Sequence, residues 1–581
     1  MAMIRKNQDQ RPYSVTERPF EGEGDYRSAI EFALSDPAFY PHTVRKIEIE
    51  ETHISKVFLT GDFVYKVKKP VDFGFLDFTS LEKRRHCCEQ EVLLNQRLSH
   101  QVYLEVAAIT LEPGGYGLNG PGEPVEYAVK MRQLPRERTM LELLRRGKLT
   151  DTMVQELIQV LATFYEEASR GPRIDDMGSL EIIETNTEED FDQTEPFVPS
   201  IINPDEFSRI HDAVRRFLNN NTDLFQRRLE TGYICDCHGD LRLGHIYFLD
   251  HNHFPGGIQI IDCIEFNNRF RYADVASDLA FLAMDLDYQG FPDVGHRLLA
   301  AYAQAVNDPE IFLLIEFYKC YRAHVRCKVE CLRQAAGDLP EAETRKTVKK
   351  AQSYFDLAYE YAATFSCPTL WIVCGQIASG KSTLAAELAN RLDVRVLSSD
   401  MTRKKYFGLV PDEPAVAEFG EGIYTPVATA QTYERMLLAA REELFKGKSV
   451  IVDATFASRV NRDTFRFLAE EKETNVIFVE CRCPHSLLRK RLAKRRGKKL
   501  ITDARLQHLE AQGPAFDPLT ELRDDTHLQV ETDQPLQQIV QEVLSAAYVL
   551  QGEQTRKSLS SMARMKQTNG DSLHQEKATE I

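Results

Sequence analysis

No run in this 581-residue chain approaches the roughly 20 consecutive apolar residues that a membrane-crossing helix needs. The opening Met1-Ala-Met-Ile-Arg-Lys-Asn-Gln-Asp-Gln10 has no apolar core of the secretory kind, so a cytoplasmic protein with no membrane partner is expected. The twelve cysteines lack any Cys-x2-Cys spacing, which argues against a zinc knuckle. Scattered through apolar runs, they read as reduced, buried thiols rather than a disulfide framework. Positive charge is also short, 72 Lys and Arg against 88 Asp and Glu for a net −16, which argues against a nucleic-acid coat protein but leaves room for a local basic groove. Apolar content of 43% and charged content of 28% are ordinary for globular domains, and the length predicts two to four of them.

What is present begins with Trp371-Ile-Val-Cys-Gly-Gln-Ile-Ala-Ser-Gly-Lys-Ser-Thr383. An apolar segment ending at Cys374 leads through Gly375, Gln376, Ile377, Ala378, Ser379 and Gly380 into Lys381, Ser382, Thr383 and a helix-forming run, the order strand, loop, helix of a phosphate-cradling loop. The glycines let successive N–H groups and the helix N-terminus face one anion. Lys381 then reaches the outer phosphates of ATP, and the Ser382 hydroxyl is placed to ligate magnesium.

Strand and helix patterns alternate after this loop: strands at 370–374, 394–399, 449–453 and 475–481, with helices to 391, at 461–472 and at 486–496. That alternation predicts a parallel sheet with helices on both faces and substrates at the carboxyl ends of its strands. Asp453 follows a wholly apolar run and reads as the Walker-B-like carboxylate that binds the Ser382-coordinated magnesium directly or through water; Asp400, at the end of the second strand, reads as a general base, with Arg403 three residues on for an acceptor phosphate or the transferring group. In the basic run 488–499, Arg491 and Arg495 stand one turn apart and would face inward from a lid. A solvated basic face is the plainer reading of either.

The earlier half alternates as strands at 46–50, 56–59 and 63–68, the last two joined by the turn Thr60-Gly-Asp62, followed by a helix over 80–98 and strands near 102–111 and 126–131. Its centre is Ile234-Cys-Asp-Cys-His-Gly-Asp-Leu-Arg-Leu-Gly-His-Ile-Tyr-Phe248, then Ile258-Gln-Ile-Ile-Asp262. Asp240 precedes one strand-like run and Asp262 ends the other, so a short hairpin would hold both carboxylates near one point, one to accept a hydroxyl proton and one to hold metal. A turn cap and a strand end are the plainer reading.

His238-Gly-Asp240 followed by Ile-Ile-Asp262 resembles the aminoglycoside-phosphotransferase-type kinases, relatives of the protein kinases, over roughly residues 45–345. The resemblance implies that Asp240 is the catalytic Asp, that Asp262 binds metal, that Lys66 contacts nucleotide phosphates with Glu91 as its ion-pair partner, and that 126–135 forms the adenine hinge. Lys68 shares the face of Lys66 by period two, and Glu89 competes with Glu91. The pattern departs at His245, where the family places Asn as a second metal ligand; imidazole suits manganese better than magnesium. It departs again at Glu51-Thr-His-Ile-Ser55, which has no glycine. The later half, residues 368–547, resembles small P-loop kinases related to zeta-toxin, chloramphenicol phosphotransferase and polynucleotide kinase.

Together these readings give a mixed α/β and α+β chain: an N-terminal extension (1–40), a bilobal protein-kinase-like domain (41–345), a helical connector (346–367) without any long Gly/Ser tract, a P-loop kinase domain (368–549) with a parallel sheet, and a disordered tail (550–581). The expected function is ATP- and Mg2+-dependent phosphoryl transfer to hydroxyl acceptors, most simply small molecules. Two alternatives stay open: a kinase-shaped sensor controlling the P-loop domain, and a kinase of nucleic-acid 5′ ends. Lys319, Arg322 and Arg326 on a later helix read either as an anion stripe or as a solvated, ion-paired face.

Overall fold

The computed structural model describes residues 24–579, apart from residues 75, 252–253, 255, 338, 411–419, 496–508 and 511–515. The chain passes back and forth between two compact units, one formed by Met1–Ile201, Arg228–Gly295 and His324–Tyr354, the other by Ile202–Arg227, His296–Ala323 and Phe355–Ile581. The connector expected at 346–367 is the later part of one helix, Glu341–Ser366. Among the described residues no helix is long and apolar enough to cross a membrane.

The first unit is built on strands β1 (Glu48–Glu51), β2 (Ser55–Leu59), β3 (Phe63–Lys68), β4 (Tyr103–Glu112), β5 (Gly115–Leu118) and β6 (Glu123–Arg132), which form an antiparallel sheet in the order β1-β2-β3-β6-β4-β5. Its alternating residues feed two cores. Phe58, Tyr65, Ile109 and Ala128 pack with Ile30 and Leu34 of the first helix. Val64, Val129 and Met131 pack on the other face with Cys88 of the helix Leu81–Ser99. Period two places Lys66 and Lys68 on the Val64 face, so both ammonium groups meet that helix. Ser80 caps it, accepting from the Lys83 N–H.

Beyond the sheet lie helices and four short strands, β7 (Ile234–Asp236), β8 (Ile246–Phe248), β9 (Ile258–Ile260) and β10 (Tyr272–Asp274). The β8–β9 pair is the hairpin expected from the sequence, in register Ile246 to Ile260. It is followed by the helix Val275–Tyr288, buried almost throughout.

In the second unit β11 (Thr369–Gly375), β12 (Arg395–Ser398), β13 (Val450–Asp453), β14 (Asn475–Arg482) and β15 (His527–Glu531) form a parallel sheet in the order β12-β13-β11-β14-β15. Leu370, Ile372, Val450, Val452, Val476 and Phe478 fill its core. β15 had no counterpart in the sequence reading. The disordered tail expected from residue 550 is corrected: the helix Leu536–Thr579 runs through it. Leu550 and Thr555 are buried, and Gln554 exchanges hydrogen bonds with the Val476 backbone on β14. The cationic helix Ile311–Ala335 is ion-paired: Lys319 bonds Glu316 and the Tyr548 hydroxyl, Arg326 bonds Glu330, and Arg322 lies over the Tyr321 ring.

Candidate active sites

In the first unit the ammonium of Lys66 lies 2.8 Å from Glu91 Oε1 and 2.7 Å from Asp262 Oδ1. Lys68, one period along, reaches the other Glu91 oxygen at 2.7 Å and also pairs with Glu265. Glu91 therefore bridges two ammonium groups with its side chain wholly buried. Burial opposes charge on Lys66, but Asp262 and Glu91 outweigh it and hold its pKa well above the ordinary value. The same balance keeps Glu91 ionised: burial raises its pKa, and Lys66 and Lys68 bring it below the usual range. Glu89, the competing acid, is exposed and, among the described residues, pairs with Arg85.

The hairpin brings Asp262 beside the loop that carries Asp240. Ile261 N–H donates to the His245 carbonyl at 3.0 Å, and His238 Nε2 lies 3.0 Å from the Ile261 carbonyl. Asp278 and Asp285, two turns apart on the buried helix, hold the loop from beneath. Asp278 accepts from the His238 and Gly239 N–H groups, and Asp285 from that of Leu243. Asp240 stands between these anchors. Its carboxylate accepts two bonds of 2.8 Å from Arg242. Burial works against its charge, yet Arg242 and then His245 hold its pKa at about 2. Burial, helped by Arg242, pushes His245 down to about 4. The donor atoms of Asp240, His245 and Asp262 all lie within 4.8 Å of one another.

In the second unit Gly375 (φ +128°) ends β11 where a Cβ would stand 2.5 Å from the Cys481 carbonyl, so glycine is required by both conformation and space. The helix Lys381–Leu392 follows Gly380 (φ +101°). Lys381 Nζ donates to the Gln376 carbonyl at 2.7 Å. Burial lowers its pKa against the pull of Asp453 and Asp400, so both carboxylates expected at the strand ends act on it. Burial raises Asp453, while Lys381 and a hydrogen bond from Ser382 pull it back. Asp400 lies in the first turn of the helix Ser399–Tyr406, 3.4 Å from Arg403, which is buried beneath the Tyr424 ring. Arg491 donates to the Ala378 carbonyl at 3.2 Å and to the Thr532 carbonyl at 2.5 Å. The Arg495 side chain lies outside the described residues.

Residues 370–519 match a family model described as an AAA domain. The chain is 32% identical over 453 residues to the uncharacterized protein Rv2004c of Mycobacterium tuberculosis (strain ATCC 25618 / H37Rv), a match covering 78% of this chain and 86% of that protein. It belongs to the same family as that protein. Among solved structures it is similar to a GDP complex of aminoglycoside 2′-phosphotransferase-IIIa (15% identity, 58% of this chain and 99% of that one, TM-score 0.34). It is also similar to a gluconokinase from Sinorhizobium meliloti 1021 (23% identity, 33% and 98%, TM-score 0.24). The first unit thus carries an antiparallel sheet, its helix and the His-Gly-Asp loop, and the second a parallel β12-β13-β11-β14-β15 sheet with the Gly375–Ser382 loop after β11.

Sequence reasoning passed over five groups that shape these sites. Arg242 covers Asp240, Glu265 pairs with Lys68, and Asp278 and Asp285 anchor the loop; acids at 278 and 285, seven residues apart in a mostly apolar helix, were the available signal. Thr532 follows β15, and its hydroxyl donates to the Ser379 carbonyl of the phosphate loop at 2.5 Å. The alternation in His527-Leu-Gln-Val-Glu531 was its only trace in the sequence.

Proposed function

We propose that the chain is an ATP-dependent phosphotransferase with two kinase-like sites, each transferring a γ-phosphoryl group to a hydroxyl acceptor, small molecules being the class that the acidic net charge favours. The observation that carries the reading is Lys66, a charged, part-buried ammonium fixed between Glu91 and Asp262 in the first unit, beside the anchored Asp240 loop. Lys66 is placed to meet polyphosphate, and Asp240, held ionised, to accept the proton of the attacking hydroxyl. In the second unit Lys381 and the N–H groups of residues 375–383 would cradle phosphates. Asp400 is the base, and Arg403 together with Arg491 and Arg495 supplies positive charge for the acceptor or transferring group. A bound divalent cation supplies charge neutralisation on the transferring phosphates. Ser382 and Asp453, a hydroxyl and a carboxylate already hydrogen-bonded to each other, are an oxygen donor pair of the kind Mg2+ takes, and in the first site Asp262 would hold the divalent cation.

The two-point grip of Arg242 on Asp240 favours a second reading, in which the first unit binds nucleotide and regulates the second without turning over. Incubation of the purified protein with labelled ATP and a metabolite extract, with Asp240→Asn and Lys381→Ala beside the wild type, separates the two. Loss of part of the labelled product in each variant is the result expected of two active sites. Loss of all transfer in Lys381→Ala alone selects the sensor, and the absence of both transfer and ATP hydrolysis in the wild type overturns the phosphotransferase reading.

A further inference from the structure

We propose that the first site is built for a transition-metal dication of the Mn2+ class rather than Mg2+, with His245 Nε2 as a ligand beside the carboxylates of Asp240 and Asp262. This rests on the phosphotransferase reading only for the reason a cation is needed there. The tautomer is set by the backbone. His245 Nδ1 lies 3.0 Å from the Asp240 carbonyl oxygen, which can only accept, so Nδ1 carries the proton and Nε2 carries the lone pair. Pinning one ring nitrogen to a backbone carbonyl is how proteins orient a metal-ligating histidine. The short turn Leu243–His245 presents that lone pair to Asp262, with Nε2 3.6 Å from Asp262 Oδ2, while the Asp240 carboxylate lies nearer the other ring nitrogen, its Oδ2 3.7 Å from Nδ1.

A cation already occupies this bay. The Arg242 guanidinium donates to both Asp240 oxygens at 2.8 Å and to His245 Nε2 at 3.0 Å, so the pocket of two carboxylates and one imidazole is matched to positive charge. A metal ion on the same donors would release Arg242 toward the transferring group. Mg2+ prefers oxygen and sheds water reluctantly, whereas Mn2+ takes mixed oxygen and imidazole donors. Oxygen still dominates this set, which favours Mn2+ over softer ions. The plainer account makes His245 no more than a rest for Arg242, and it predicts that a bound ion touches no nitrogen.

Pulsed electron paramagnetic resonance on the full chain loaded with Mn2+ and a non-hydrolysable ATP analogue decides between them. Nitrogen-14 modulation from a bound imidazole is expected, replaced by nitrogen-15 signals when histidine alone is labelled, and lost in His245→Asn. The second site contributes none, since its donors Ser382 and Asp453 are oxygens. In competition the wild-type first site should discriminate against Mg2+ by about tenfold or more, and His245→Asn should reduce that preference to about one. No histidine-derived coupling in the wild type overturns the proposal, as does coupling that survives in His245→Asn. Should the variant fail to fold, the labelled and unlabelled wild-type pair still decides. Histidine coupling in a protein that transfers no phosphoryl group keeps the metal assignment and refutes the phosphotransferase reading; transfer with Mg2+ and no coupling does the reverse.

Discussion

Replacing Glu91 by Gln keeps the shape of a fully buried side chain while removing the charge shared by two ammonium groups. Lys66 and Lys68 approach its two oxygens at 2.8 and 2.7 Å. Removing one partner of a buried pair costs about 3–5 kcal/mol, because the remaining charge stays desolvated. Here each lysine keeps a second carboxylate, Asp262 for Lys66 and Glu265 for Lys68, so the lower end, about 3 kcal/mol, is the expected loss. At 1.4 kcal/mol per decade that is about a hundredfold in a local opening equilibrium. The chain has two units, so a single global unfolding energy is not a well-defined readout. Amide hydrogen exchange in peptides covering β3 and the helix Leu81–Ser99 reads the local value. Exchange there should accelerate about a hundredfold in Glu91→Gln and no more than about twofold in Glu89→Gln, whose exposed pair with Arg85 is worth under about 0.5 kcal/mol. Comparable effects in the two variants would refute the claim that Glu91 carries the lysines.

In the second unit Gly375→Ala is expected to cut nucleotide affinity at least about tenfold, because its Cβ would stand 2.5 Å from the Cys481 carbonyl at a φ of +128°; unchanged binding by calorimetry would refute the close approach. Glu480 is pushed up by burial but held below its ordinary pKa by His527 and Arg482, so its contribution is complete above about pH 4.3 and is lost as the pH falls through the folded value. Glu480→Gln should therefore flatten the acid limb of unfolding by up to about 1.4 kcal/mol per pH unit, read from the emission of Trp371, the only tryptophan, on the neighbouring β11. A chain ended at residue 549 loses the buried Leu550 and the Gln551 and Gln554 hydrogen bonds to Thr369, Val476 and Asp525, about 5 kcal/mol from one apolar side chain and four bonds. The same emission should show it unfolding well before a chain ended at 561, which keeps all of these groups.

The phosphate loop and the first four parallel strands were legible because each is a local signal: an apolar run of strand length followed by a glycine turn or a helical period. Lys66 was picked from the resemblance to the aminoglycoside-phosphotransferase-type kinases, but its near-equivalence to Lys68 could not be resolved, since both face the helix and both use Glu91. The Asp240–Asp262 hairpin was legible from two short apolar runs. The anchors were not. Asp278 and Asp285 sit in a helix whose sequence reads as core, and their role exists only once the loop lies upon them. Arg242 was passed over for a similar reason, since a basic residue two positions after an acid carries no period. β15 and Thr532 lie beyond a long stretch without strand pattern, and only the parallel pairing with β14 gives them a place.

The two units hold their central lysines by opposite electrostatic means, and this bears on how each site would respond to nucleotide. In the first, Lys66, Lys68 and Arg242 are matched against Glu91, Glu265, Asp240 and Asp262, so positive charge is neutralised inside the fold and Lys66 keeps its proton far above neutral pH. In the second, Lys381 is tied to a backbone carbonyl, its pKa is lowered by burial, and Asp453 is raised for the same reason. Desolvation there is only partly compensated by Asp453 and Asp400, so an incoming polyphosphate would restore what burial removes from Lys381. The first site must instead exchange existing ion pairs for new ones, with Asp262 leaving Lys66 to meet a cation. Equal gross contacts would therefore yield tighter nucleotide binding at the second site, with the first depending more steeply on the identity and concentration of the metal.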